Sequence, residues 1–362
     1  MRITLSAAVT ADGYLDDNSS ERLIVSTPED WTEVRRLRAE HDAILVGAET
    51  LRRDDPALLV RDESRHASRR ARGLRPDIAK VVVTRSGNRL SPAMRFFTEG
   101  DAARYVFSET PIPALDDAAE VIVADEPITA AWIVTELEKR GIESLFVEGG
   151  AQILRMFLRQ EQADTLRLAV NPSLRIGAER GGAAFEFTPP ADTPVVRESP
   201  GGMQVATYRL RKAEFSEAED LKFLRQAIEA SRRCAPSSTS YSVGAVVVAR
   251  DGNIFAGYTH ETSPTHHAEQ EAIAKALAAG IALRGATIYS SMEPCSTRKS
   301  EPESCSALIV RLGFARAVFA LYEPDCFVRC RGALNMRLAG LDVRCYPALA
   351  EEVRAVNGHL WR

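Results

Sequence analysis

Thr265-His266-His267-Ala268-Glu269, then Glu293-Pro294-Cys295, then Cys305: the reading of this chain turns on these three fragments of its last third. They offer one imidazole, one carboxylate two residues further on, and two thiols. Zinc binds imidazole nitrogen and thiolate sulfur readily, and a catalytic zinc keeps three protein ligands and a fourth position for water. Water so bound ionises near neutral pH. His267, Cys295 and Cys305 are therefore the candidate ligands. Glu269 is the candidate proton shuttle, able to take a proton from water and deliver it to a ring nitrogen and a leaving amine. The bland alternative is a buried histidine beside two buried cysteines with no metal.

The flanking sequence fits the first reading. Ala272, Ile273, Ala276 and Leu277 fall at helical spacing and Gly280 follows as a stop. His267 is thus expected at the cap of a helix and Glu269 in its first turn, where both can reach one site. Thr287 to Ser290 reads as a strand leaving through Met292-Glu293-Pro294. Ser304 to Leu312 reads as a second helix, stopped by Gly313. Helix N-termini aimed at the thiols would favour thiolate.

The fragment order matches the signature of zinc deaminases acting on nucleobases, where two residues separate the cysteines. Here nine do, Ser296 to Ser304. The long loop resembles the deaminase half of the bifunctional riboflavin-biosynthesis deaminase/reductase. The matching run is Glu293-Pro294-Cys295-Ser296, the loop, then Cys305-Ser306-Ala307-Leu308-Ile309.

A chain of 362 residues is long enough for two ordinary domains. Its net charge of −4 argues against general nucleic-acid binding. The six cysteines all lie past residue 230 without the spacing of a disulfide framework, so reduced thiols and a cytoplasmic location are expected. No apolar run approaches membrane-spanning length, and a strand starting at Ile3 leaves no room for a signal peptide.

Upstream, Ile3 to Val9 reads as a strand. Thr27-Pro28-Glu29-Asp30 opens a helix with a capping hydroxyl, Pro at the first position and acids in the first turn. Asp42 to Gly47 is a short apolar strand. Arg61 to Arg75 holds six arginines and is expected to be a solvated loop before a strand over 78–84. Glu148-Gly149-Gly150 turns from a strand over 144–147 into a helix, where backbone could approach a pyrophosphate. No Gly-x-Gly-x-x-Gly follows the first strand, which excludes the Rossmann fingerprint. The polar stretch from Arg211 to Asp220 marks the domain boundary, giving 1–212 and 213–362. Past it, a helix over 221–233 precedes an Asp251-Gly252 hairpin turn. The alternation of strands and helices predicts a mixed sheet covered on both faces.

Val46-Gly47-Ala48-x-Thr50-x-Arg52-x-Asp54-Asp55-Pro56-x-Leu58-x-Val60-Arg61 resembles the reductase half of the same family. So do Phe146-Val147-Glu148-Gly149-Gly150-Ala151 and the Ala163 to Leu168 run. The resemblance covers nearly the whole chain, with the halves in swapped order. It implies an α/β protein: an N-terminal dihydrofolate-reductase-like domain and a C-terminal cytidine-deaminase-like α/β/α domain. It implies Zn2+ and NADPH as cofactors. Ala8, Thr50, Asp54, Glu148, Gly149 and Gly150 would meet NADPH; Arg38, Leu58 and Arg61 would meet substrate. Asp54 is also a candidate for proton work, against a turn-capping carboxylate, and Arg61 stands against a solvated strand-end charge.

The implied function is hydrolytic deamination of 2,5-diamino-6-ribosylamino-4(3H)-pyrimidinone 5′-phosphate, and NADPH-dependent reduction of its ribosyl group to ribityl. The partner is that small molecule, with no nucleic acid and no membrane; a homodimer is left open. Several positions depart from the family pattern: Ser6 for a lysine, Arg22 and Ile24 for a Ser-x-Trp, Thr239-Ser240-Tyr241 for a Pro-Asn-Pro, and Glu323-Pro324-Asp325-Cys326 for an Asp-Pro-Asn-Pro. Three alternatives stay open: another aminopyrimidine as substrate, a reductase-like half without chemistry, and a nucleic-acid base deaminase. Cys326, Cys330 and Cys345 are read as ordinary reduced cysteines.

Overall fold

The structure, a computed structural model, describes residues 1–19, 23–210, 216–298, 301–324 and 329–360. The chain divides into two compact units, Met1–Lys212 and Ala213–Arg362. No helix among the described residues is long and apolar enough to cross a membrane.

The first unit runs β1 (Arg2–Thr10), α1 (Pro28–Ala39), β2 (Ala43–Gly47), α2 (Ala48–Asp54), α3 (Glu63–Ala71), β3 (Ala79–Val83), α4 (Arg95–Thr98), β4 (Arg104–Ser108), β5 (Glu120–Val123), α5 (Ala130–Lys139), β6 (Ser144–Val147), α6 (Ala151–Arg159), β7 (Thr165–Asn171), β8 (Val195–Glu198) and β9 (Gln204–Arg209). Its strands form one sheet in the order β5-β4-β3-β2-β6-β1-β7-β9-β8. All pairs from β5 to β7 are parallel, and β9 and β8 close the edge antiparallel. Side chains alternate across the sheet. Ile3, Leu5 and Leu45 face Ile133, Leu137, Leu154 and Phe157 of α5 and α6. Ile44, Val46 and Phe146 face Val34 and Leu51 of α1 and α2. Thr27 caps α1, its Oγ1 accepting from the Asp30 N–H at 3.4 Å.

The expected loop over 61–75 is instead a helix, α3. Asp62 caps it, accepting from the N–H groups of Ser64 and Arg65 at 3.0 and 3.2 Å. Arg69 is buried, its guanidinium donating to the carbonyls of Ala39, His41, Arg75 and Asp77. A run of arginines reads as solvated by composition, but one of them fills an interior position.

The second unit runs α7 (Glu217–Ser231), β10 (Gly244–Val248), β11 (Ile254–Tyr258), α8 (Ala268–Ala278), β12 (Thr287–Met292), α9 (Cys305–Arg311), β13 (Arg316–Leu321), α10 (Gly332–Leu338), β14 (Asp342–Cys345) and α11 (Ala350–Val356). The sheet order is β11-β10-β12-β13-β14. The β10–β11 hairpin turns at Gly252, at φ +87°. β12, β13 and β14 are parallel. Helices α8, α9 and α10 pack on one face of this mixed sheet, and α7 and α11 on the other.

Asp220 ties α7 to the sheet. Its carboxylate accepts from Tyr289 at 2.9 Å, Arg316 at 3.1 and 2.8 Å, and Tyr346 at 2.8 Å. Burial and this carboxylate push both tyrosine hydroxyls above their usual range. Removing one partner of a buried charge pair costs about 3–5 kcal/mol. Asp220→Ala should destabilise the second unit by about that amount, read as lost hydrogen-exchange protection over β12 and β13 while the first unit keeps its own.

Candidate active sites

His267 has the extended backbone of a helix cap, φ −85° and ψ 162°, and its N–H donates to the Gln270 side chain at 3.1 Å. Cys295 lies just past the end of β12, and Cys305 opens α9. The His267 Nδ1 atom is 3.6 Å from Cys295 Sγ and 3.5 Å from Cys305 Sγ. All three donor atoms lie within 4.8 Å of one another. Bond lengths of about 2.0–2.1 Å to nitrogen and 2.3 Å to sulfur give a tetrahedral N···S edge of roughly 3.6 Å. The donor set and its spacing therefore fit one zinc ion.

The Cys305 thiol beside Cys295, together with His267, holds the Cys295 thiol down at about 4. The Cys305 backbone N–H donates to that sulfur at 3.4 Å. The neighbouring Cys295 sulfur and complete burial push the Cys305 thiol well up. Burial opposes charge on His267, but its contact with Cys295 wins and raises it.

Glu269 sits in the first turn of α8, 3% exposed, and accepts from Ser290 Oγ at 2.8 Å. Burial raises its pKa, against the pull of His267. A carboxyl so placed holds its proton more firmly than one in water. The long inter-cysteine loop is tied back to the helix start: Arg298 donates to the Gln270 side chain and the Thr265 carbonyl, and Thr265 to Glu301 at 3.0 Å. Motif reading misses Ser290, Gln270 and Arg298, because each acts across a gap in sequence. Cys330 and Cys345 form no disulfide and lie outside the three-donor cluster; Cys326 and Asp325 lie outside the described residues. Tyr241 is buried, its hydroxyl donating to the Pro324 carbonyl at 3.3 Å.

In the first unit, Thr50 and Asp54 share one face of α2, four residues apart. Asp55 and Leu58 take positive φ, 37° and 51°, turning the chain sharply toward Arg61. Leu58 is buried. Arg61 is exposed, 3.4 Å from Glu99. Arg38 and Glu148 form a two-pronged ion pair, so an expected substrate contact and an expected cofactor contact meet each other. Gly149 has no room for a side chain, since a Cβ would lie 2.6 Å from Val46 Cα. Gly150 caps α6 at φ +54°. Ala8 packs with Ala169, Met203 and Val205. Ser6 is buried beside Arg167 on the neighbouring strand, and Arg167 is ion-paired with buried Asp30, a contact the sequence does not announce. Ile24 is 70% exposed, and Arg22 lies outside the described residues.

Cys295→Ala and Cys305→Ala should each bring zinc content, measured by elemental analysis, well below one per chain. Full occupancy in both would exclude this donor set.

Comparison with known proteins gives two family matches. Residues 1–191 match the RibD C-terminal domain, and residues 217–321 the cytidine and deoxycytidylate deaminase zinc-binding region. A 2,5-diamino-6-ribosylamino-4(3H)-pyrimidinone 5′-phosphate reductase of Archaeoglobus fulgidus is 30% identical over 175 residues, 47% of this chain and 80% of that protein. A diaminohydroxyphosphoribosylamino-pyrimidine deaminase of Schizosaccharomyces pombe is 37% identical over 124 residues, 34% of this chain and 31% of that protein. The riboflavin biosynthesis protein RibD of Escherichia coli is 36% identical over 121 residues, 33% of this chain and 32% of that protein. The chain thus spans about a third of the length of the last two. A domain named for a C-terminal place stands first here. With its first 191 of 362 residues built to that pattern, and the deaminase zinc-binding region behind it, the chain belongs to the RibD C-terminal domain family.

Proposed function

We propose that the chain is a two-step enzyme of riboflavin synthesis, acting on 2,5-diamino-6-ribosylamino-4(3H)-pyrimidinone 5′-phosphate. The second unit removes an amine hydrolytically and the first reduces the ribosyl group to ribityl. The observation that carries this reading is the meeting of His267, Cys295 and Cys305 beside a buried, Ser290-bonded Glu269. Zinc held by the three donors would supply the Lewis acidity that makes water a nucleophile at neutral pH. Glu269 carries one proton of the attacking water to the ring nitrogen; as the carbon–nitrogen bond breaks it carries the second, from the hydroxyl now on that carbon, to the amine, which leaves as ammonia and a carbonyl remains. Ser290 keeps that carboxylate aimed between the two transfers.

In the first unit NADPH would supply the hydride. Ala8, Thr50, Asp54 and the Glu148-Gly149-Gly150 turn are the residues we assign to holding it. Leu58, Arg61 and Arg38 orient the substrate, with Arg38 and Glu148 acting as one paired group. Asp54 moves the proton that accompanies ring opening. The setting we assign is a reducing cytoplasm, with a small-molecule substrate as the partner. Ser6, Tyr241 and Glu323, which depart from the family pattern, favour a second reading with a different aminopyrimidine.

Purified protein given the diaminopyrimidinone should release ammonia without cofactor. Added NADPH should then be oxidised, one equivalent per sugar. Neither product, with zinc and NADPH both bound, points to another aminopyrimidine. Glu269→Gln should keep zinc and slow ammonia release by about 10²–10⁴-fold. Arg61→Ala should raise the Michaelis constant of the reduction by about tenfold, the lower end of a charge-assisted hydrogen bond.

A further inference from the structure

Pro294 and Cys295 are gripped from the first turn of α10, an element that contributes nothing to the proposed donor set. A Cβ on Gly332 would lie 1.7 Å from the Pro294 carbonyl oxygen and 3.6 Å from the Cys295 carbonyl carbon. The φ of Gly332 is not in the left-handed region, so space rather than conformation demands glycine there. The nearest atom is backbone, and it cannot swing aside as a side-chain tip could.

The grip has polar arms on both sides of this contact. Glu293, 4% exposed, accepts from the Ala333 N–H at 2.8 Å and the Glu323 N–H at 3.3 Å. Ser296 Oγ accepts from the Arg331 N–H at 3.0 Å. The start of α9 holds Cys295 from another direction. The Cys295 carbonyl accepts from the Ser306 N–H at 3.1 Å, beside the bond from the Cys305 N–H to its sulfur.

Resting on the zinc reading above, we propose that Gly332 and Glu293 are positioning residues for the metal ligand Cys295. They set where its sulfur stands relative to His267 and Cys305. Groups behind a metal's ligands typically change metal affinity by about 10–100-fold when altered. A methyl group at 332 must push the Pro294–Cys295 backbone away, and with it one ligand in three. Glu293→Gln replaces one of two acceptors with an amide donor, facing an N–H that then has nowhere to donate.

The test uses the full chain, with zinc affinity measured by chelator competition and ligand geometry by the visible spectrum of the cobalt(II)-substituted protein. Gly332→Ala and Glu293→Gln should each weaken zinc binding by about tenfold or more and shift the cobalt bands. Asp220→Ala is the control: it should lower stability and leave those bands in place. Wild-type affinity and spectrum in both variants overturn the proposal. Should Gly332→Ala not fold, Glu293→Gln decides alone, and unchanged binding in it overturns the proposal. Wild-type protein that binds neither metal would sink the zinc reading itself, a different result from variants that bind like wild type.

Discussion

A parallel strand reaches its parallel neighbour only through a crossover, and each candidate site takes part of its residues from what that constraint leaves at the strand ends. In the second unit β12 and β13 run parallel from Thr287–Arg316 to Met292–Leu321. The chain leaving Met292 must turn back over the sheet, and Cys295 and Cys305 stand at two points of that return. In the first unit β2 and β6 are parallel neighbours. Their ends deliver the start of α2 and the Glu148-Gly149-Gly150 turn side by side. Gly149 lies so close to Val46 that a Cβ there would have no room, so the two strand ends abut.

Buried charge is handled in pairs and clusters. Asp220 receives two tyrosine hydroxyls and a guanidinium. Arg38 meets Glu148, and Arg167 meets Asp30. Such pairs contribute little net stability over apolar packing, but breaking one leaves an uncompensated charge. Their value here is registry. Each fixes a helix, α7 or α1, at one place along its sheet. Glu269 differs. Among the described residues it is bonded to a hydroxyl donor rather than to a cationic side chain, which suits a group that must gain and lose a proton.

The parts of this arrangement that were legible in the sequence are those written locally. The cap position of His267, the first-turn place of Glu269, the hairpin at Gly252 and the Pro28 helix start each depend on a few adjacent residues. The cluster of His267, Cys295 and Cys305 was legible because their residue types and order are restrictive. What was not legible depends on distant partners. Nothing near Arg69 announces that it will enter the interior, so composition wrongly favoured a loop. Nothing near Gly332 announces the Pro294 carbonyl, and nothing near Ser6 announces Arg167. The strands β4, β5 and β8 are short, and the exposed side chains of β8 blur the alternation that marks a half-buried strand.

Helix α3 has a consequence for how the chain is degraded. With six arginines in positions 61 to 75, the segment would be an easy target for a trypsin-like protease if it were a loop. Only Arg65, Arg69 and Arg70 fall within the helix, and with Arg69 bound to carbonyls at 39, 41, 75 and 77 that stretch has to open before it fits a protease cleft. Cleavage at those three then reports the opening equilibrium rather than the number of arginines. Ala39, whose carbonyl Arg69 grips, directly follows Arg38 of the Arg38–Glu148 pair, so the end of α1 and helix α3 are joined through the Arg69 side chain.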